Sequence, residues 1–215
     1  ARHRGGAREG PQGVDRHWLY PYAPASTANL ELAGVDPAIR VEVTVMGGPN
    51  PHSPQTVMSL VAAPANEIEG FPVYEDLASV EVDTLAAERT LVEKLAMLHD
   101  AAHQAVEGNA GRLAGAGRHY YDVAQLLGDV TVQSALSPEW VADIAADADR
   151  WSDEGNYPFT PRPDGGFALS RAFTDPELLG VVRGSFELAM HWVWTTDKPS
   201  LEECVATVAS QSHLL

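Results

Sequence analysis

The sequence predicts an α+β protein, with a β-rich first part followed by a helical second part. Three features carry that reading. The stretch IRVEVTVMGG alternates, placing Ile39, Val41, Val43 and Val45 on one face and Arg40, Glu42, Thr44 and Met46 on the other. A period of two built from β-branched residues is the pattern of a strand. After Thr84 the apolar residues move to helical spacing, beginning with Leu91, Leu95, Leu98 and Ala102. Helix-start signals then recur at Ser137-Pro138, Asp175-Pro176 and Ser200 with Glu203, each offering a side-chain oxygen to the free N–H groups of a first turn.

In chain order, residues 1–15 are rich in Arg and Gly and poor in apolar side chains, so they are expected to be poorly ordered or truncated. Residues 16–84 form the β-rich part. Besides the strand ending at Gly47-Gly48-Pro49-Asn50, strands are expected over Ala28–Leu32, Thr56–Ala62 and Ser79–Val82. Residues 85–215 form the helical part. The first helix spans Glu88 to Val106 and stops at Gly108, and the second spans Arg118 to Leu127 and closes at Gly128. A third opens at Ser137-Pro138 and carries Trp140, Ile144 and Trp151. A fourth runs from Asp175-Pro176 to about Trp194, and a last one passes through Val205 and Val208.

Composition narrows the classes of function. With 215 residues, 45% of them hydrophobic and 20% charged, the chain can bury a substantial core. No apolar run of the length needed to span a bilayer occurs, and nothing at the start resembles a signal peptide. The single Cys204 rules out an internal disulfide and suits a cytoplasmic location. A formal net charge of −16 argues against broad adhesion to nucleic acid, which relies on Lys and Arg, while leaving a local basic pocket possible. The chain begins at Ala1 without an initiator methionine, as expected of a fragment or a processed product.

Four groups of residues are candidates for chemistry. His99-Asp100-Ala101-Ala102-His103 places two imidazoles four apart on one helix face, similar to a zinc-protease helix with Asp in place of Glu. It reads either as a zinc site or as two half-exposed histidines. Lys94 lies on the shoulder of the apolar stripe, and Asp122 lies similarly beside Leu126, with Arg118 one turn earlier. These residues read either as a snorkelling lysine and a helical ion pair or as a cation and a carboxylate facing one cleft. Glu42, on the polar face of the strand, is either a solvated carboxylate or a ligand for a hard cation such as Mg²⁺. Asp147 and Asp149, two apart on a helix, diverge too far to chelate one ion.

Together, VEVTVMGGPNPH, ERTLVEKLAMLH, RHYYDVAQLL and FELAMHWVW resemble the AbiEii/AbiGii-type nucleotidyltransferase toxins of abortive-infection and toxin–antitoxin pairs. The resemblance covers roughly Tyr20 to the C-terminus, and ERTLVEK with RHYYD is its specific part. It implies a DNA polymerase β-like mixed sheet followed by a helical domain. It also implies Mg²⁺-dependent transfer of NMP from an NTP to an acceptor, RNA or tRNA, with a cognate antitoxin as partner. By the same resemblance Glu42 is the strand-borne metal acid, Lys94 contacts the triphosphate, and Glu88 opens the motif. Arg118 and Asp122 line the same cleft. The family's first signature, a Gly-Ser or Gly-Gly turn followed by an Asp-x-Asp strand, is absent, and Met46 stands where relatives carry a polar or basic residue. The expectation is therefore a C-terminal portion, inactive alone, of such an enzyme. The alternatives are a non-catalytic interaction protein that keeps the fold, and a zinc hydrolase built on His99 and His103.

Overall fold

A computed structural model describes residues 6–9, 15–22, 38–44, 48–70, 72, 74–155, 160–193 and 195–215. The expected strand at Ala28–Leu32, together with Val45, Met46, Gly47 and Trp194, lies outside the described residues. The chain divides into two units, residues 1–48 with 147–158, and residues 49–146 with 159–215.

The first unit carries β1 (Gly6–Glu9), β2 (Asp15–Pro21) and β3 (Ala38–Thr44) in an antiparallel sheet of that order. β1 lies within the segment expected to lack order; its backbone pairs with β2, Gly6 opposite Leu19 and Glu9 opposite Arg16. In β3 the alternation read from the sequence is realised. Val41 lies opposite Trp18, and Glu42 lies opposite His17. The apolar side of β3 is nevertheless open, with Ile39 61%, Val41 42% and Val43 50% exposed.

The second unit begins with a two-stranded antiparallel ribbon, β4 (His52–Val57) and β5 (Val80–Leu85). Between them lies α1 (Ala62–Asn66). The strand expected over Thr56–Ala62 is thus displaced toward the N-terminus and gives way to a helical turn. The helices follow as α2 (Ala87–Val106), α3 (Gly111–Ala114), α4 (Gly117–Gly128) and α5 (Val130–Ala135), then α6 (Pro138–Glu154), whose residues from Asp147 on are assigned to the first unit. The last three are α7 (Arg171–Thr174), α8 (Pro176–Met190) and α9 (Leu201–Ser210). With helices dominating beside small antiparallel sheets, the α+β class holds.

Local chemistry explains where the helices start and stop. Asp175 accepts from the N–H groups of Glu177 and Leu178, with Pro176 opening α8, and Ser200 and Glu203 close a reciprocal capping box on α9. These contacts satisfy donors that a first turn leaves free. Asp129 caps α5 and Ser170 caps α7 in the same way. At the far end of α2, Gly108 takes φ +97°, a left-handed conformation that a side chain disfavours. α8 ends at Met190, one turn short of the expected Trp194.

The core of this unit is built from Leu91, Leu95 and Leu98 of α2, Val123 and Leu127 of α4, and Val182 of α8, all fully buried. α4 packs against α2, α8 and α9. Its first residue is a glycine for a steric reason: a Cβ on Gly117 would come 2.1 Å from the backbone nitrogen of Phe186. The Gly117 N–H donates to Ser185 Oγ at 3.1 Å across that crossing. Two buried polar residues of α2 tie loops to the core. Arg89 donates to Glu93 and to the Asn50 carbonyl. Asp100 accepts from Arg112, Gln104 and both the N–H and hydroxyl of Thr160. Buried charge of this kind persists because the donors of Arg89 and the acceptor oxygens of Asp100 find partners.

Candidate functional site

The polar residues of α2 and α4 meet at one point. Lys94 projects from α2, and His119 and Asp122 stand three residues apart on α4, hence on one face. Lys94 Nζ lies 2.8 Å from Asp122 Oδ2 and 3.2 Å from His119 Nδ1. His119 Nδ1 is 3.7 Å from the same Asp122 oxygen. The three side chains are 21%, 33% and 19% exposed for Lys94, Asp122 and His119. They form a half-buried cluster that water still reaches.

The electrostatics follow from these distances. The His119 imidazole and the Lys94 ammonium hold the Asp122 carboxyl down at about 2, against the upward push of partial burial. Asp122 is therefore ionised at any physiological pH. The cluster holds one cation, one anion and one imidazole. An ammonium held this way has one N–H beyond those its two described partners take.

The other expected residues have different described contacts. Arg118, read as the ion-pair partner of Asp122, is exposed on α4, and Asp122 takes Lys94 as its partner instead. Glu88 lies in the first turn of α2, where its charge suits the helix N-terminus; no described contact joins it to Lys94. Glu42 belongs to the first unit, exposed on β3. Its carboxylate lies 3.2 Å from Arg40 and 3.6 Å from His17. Among the described residues no group of three or more His, Cys, Asp or Glu side chains could hold a metal ion. Glu42, the expected metal ligand, stands between two basic side chains.

The zinc reading of His99 and His103 is corrected by their hydrogen bonds. His99 Nε2 lies 3.0 Å from the Pro161 carbonyl oxygen and Nδ1 lies 2.8 Å from Ser170 Oγ. Both ring nitrogens are committed, and His103 is exposed beside Glu107. His99 instead fastens the loop after α6 and the start of α7 to α2. His119 went unread in the sequence although it sits in RHYYD, three residues before Asp122. That i, i+3 spacing was the available signal.

The fold and this cluster describe an α+β protein with a helix-borne ammonium–carboxylate–imidazole group suited to anionic ligands. Residues 3–190 match the family model of the nucleotidyl transferase AbiEii toxin of type IV toxin–antitoxin systems, and the chain belongs to that family. No curated protein and no solved structure matches it. Membership implies a transferase of the nucleotidyl type and a cognate antitoxin. Among the described residues no helix is long and apolar enough to cross a membrane.

Proposed function

We propose that the chain contributes the triphosphate-binding part of an enzyme that transfers NMP from an NTP to an RNA acceptor, tRNA in particular. The observation that supports this most is the placement of Lys94 between Asp122 and His119, on the two helices that carry the family resemblance. In such a transfer an acceptor hydroxyl oxygen bonds to the α-phosphorus, the bond from that phosphorus to its bridging oxygen breaks, and pyrophosphate departs. Negative charge grows on the departing group, and a fixed ammonium beside it lowers the barrier. Lys94 supplies that ammonium. Arg118, one turn before Asp122 and open to solvent, adds positive charge for the nucleotide or RNA backbone.

Glu42 enters the proposal as the strand-borne acid of a polymerase β-like sheet, and Glu88, in the first turn of the helix that carries Lys94, as the nucleotide-binding acid that opens the motif. Mg²⁺ enters as the ion that accompanies an NTP. The part of the reaction carried by the described residues is binding and orienting the triphosphate. Cytoplasmic action with a cognate antitoxin, in abortive infection, completes the reading.

The test is transfer of labelled NMP to total tRNA by the whole gene product in Mg²⁺. Lys94→Ala is expected to reduce transfer by about 100-fold or more, the range for loss of one preorganised charge contact. Undiminished transfer by that variant would refute the role of Lys94. The engagement of Glu42 with Arg40 and His17 favours a second reading, a non-catalytic module that keeps the fold. On that reading Mg²⁺ with NTP leaves the melting temperature unchanged, whereas a nucleotide present at about 100 times its Kd adds about 2.7 kcal/mol of stability.

A further inference from the structure

We infer that His119 is a positioning residue for Lys94: its Nδ1 accepts a hydrogen bond from the ammonium and, with Asp122, fixes where the remaining N–H points. The inference rests on Lys94 being a phosphate ligand. An ammonium has three donors and no acceptor. In the neutral ring the nitrogen 3.2 Å from Nζ therefore presents its lone pair to the ammonium, and the proton sits on Nε2. Only a ring with its proton on Nδ1 turns an N–H toward Asp122 Oδ2, 3.7 Å away. Asp122 Oδ2, at 2.8 Å, takes a second N–H. The third is left for an incoming anion.

The two partners do different work. A carboxylate holds the ammonium but also cancels its charge, and so competes with a phosphate for it. A neutral imidazole orients the ammonium without cancelling anything. Lysine is a point charge on a flexible stem and shifts with its surroundings, so a second contact from the same face of α4 restricts Nζ to one location. Losing His119 leaves Lys94 tethered only to its competitor.

The sequence makes this measurable, because it contains only two lysines, Lys94 and Lys198. Lys198 is exposed and donates to the Met190 carbonyl, so it serves as an internal standard. The protein is labelled with trinitrobenzenesulfonate in Mg²⁺ and increasing inorganic tripolyphosphate, and each lysine is followed by peptide mass. Tripolyphosphate is expected to protect Lys94 and not Lys198 in the wild type. His119→Phe should raise the half-protecting concentration about ten-fold or more, as for loss of one hydrogen bond to a charged group. His119→Asn, whose amide oxygen can replace Nδ1 as acceptor, should restore the wild-type value. Should His119→Phe not fold, His119→Gln, with its amide displaced by one bond, is expected to show the same loss. Protection of Lys94 that is equal in the wild type and the Phe or Gln variant overturns the positioning role. Absence of protection in the wild type overturns the phosphate reading itself, and the inference with it.

Discussion

Lys94 was visible from the spacing of Leu91 and Leu98, which puts it at the edge of the buried stripe of α2. Its partners were not. Periodicity assigns a residue to a face of its own helix and says nothing about which residue of a second helix comes opposite. The i, i+4 rule therefore paired Asp122 with Arg118, while packing delivered Lys94, and His119 stood at i, i+3 on the same helix. His99 shows the same limit. Its spacing from His103 suggested a metal, and only the fold shows both nitrogens already bonded to Ser170 and Pro161. Burial is the main cause that lowers the His99 pKa from 6.5; the Pro161 hydrogen bond raises it, His103 lowers it and Asp100 raises it. A histidine depressed in the folded state contributes stability that is full above its unfolded pKa and is lost as pH falls through the folded one. The stability advantage of the wild type over His99→Gln is therefore expected to shrink as urea unfolding is measured from pH 7.5 down to 5. Profiles that stay parallel across that range would contradict it.

Among elements, those with local instructions were the legible ones. α8 and α9 begin where Asp175-Pro176 and Ser200 with Glu203 said they would, because a cap acts within four residues of chain. The ends of α2 and α4 were read to within a residue from apolar spacing with Gly108 and Gly128, although neither start carries a side-chain cap. Short elements such as α3, α5 and α7 escaped detection, being a single turn or two that tertiary packing holds rather than periodicity. The β4–β5 ribbon was placed approximately, and its register could not be read, since neither face of the ribbon is buried against a core. Gly117 is an element-scale feature hidden in the sequence, as only the α4–α8 crossing makes a glycine necessary. Gly117→Ala forces Cβ against the backbone at Ser185 and Phe186 and is expected to cost about 3 kcal/mol. Urea unfolding that shows a loss below about 0.5 kcal/mol, the range of neutral surface changes, would mean that the helices separate more easily than this packing implies.

For the whole molecule, the change from β texture to helix texture near Thr84 was enough to predict an α+β class, and the RHYYD and ERTLVEK stretches were enough to predict the family. The assignment of β4 and β5 to the same unit as the helices was not legible, because composition changes at Thr84 while contacts change near Gly48. The central claim is that Lys94, held by Asp122 and His119, is a triphosphate ligand. Calorimetric titration of each NTP with Mg²⁺ into the wild-type protein and Lys94→Ala tests it most directly. The account predicts that at least one NTP binds the wild type and that Lys94→Ala weakens it by about ten-fold or more, as for loss of a charge-assisted contact, with the variant folded. Equal affinity in the two proteins, or no NTP binding by the wild type, would contradict it.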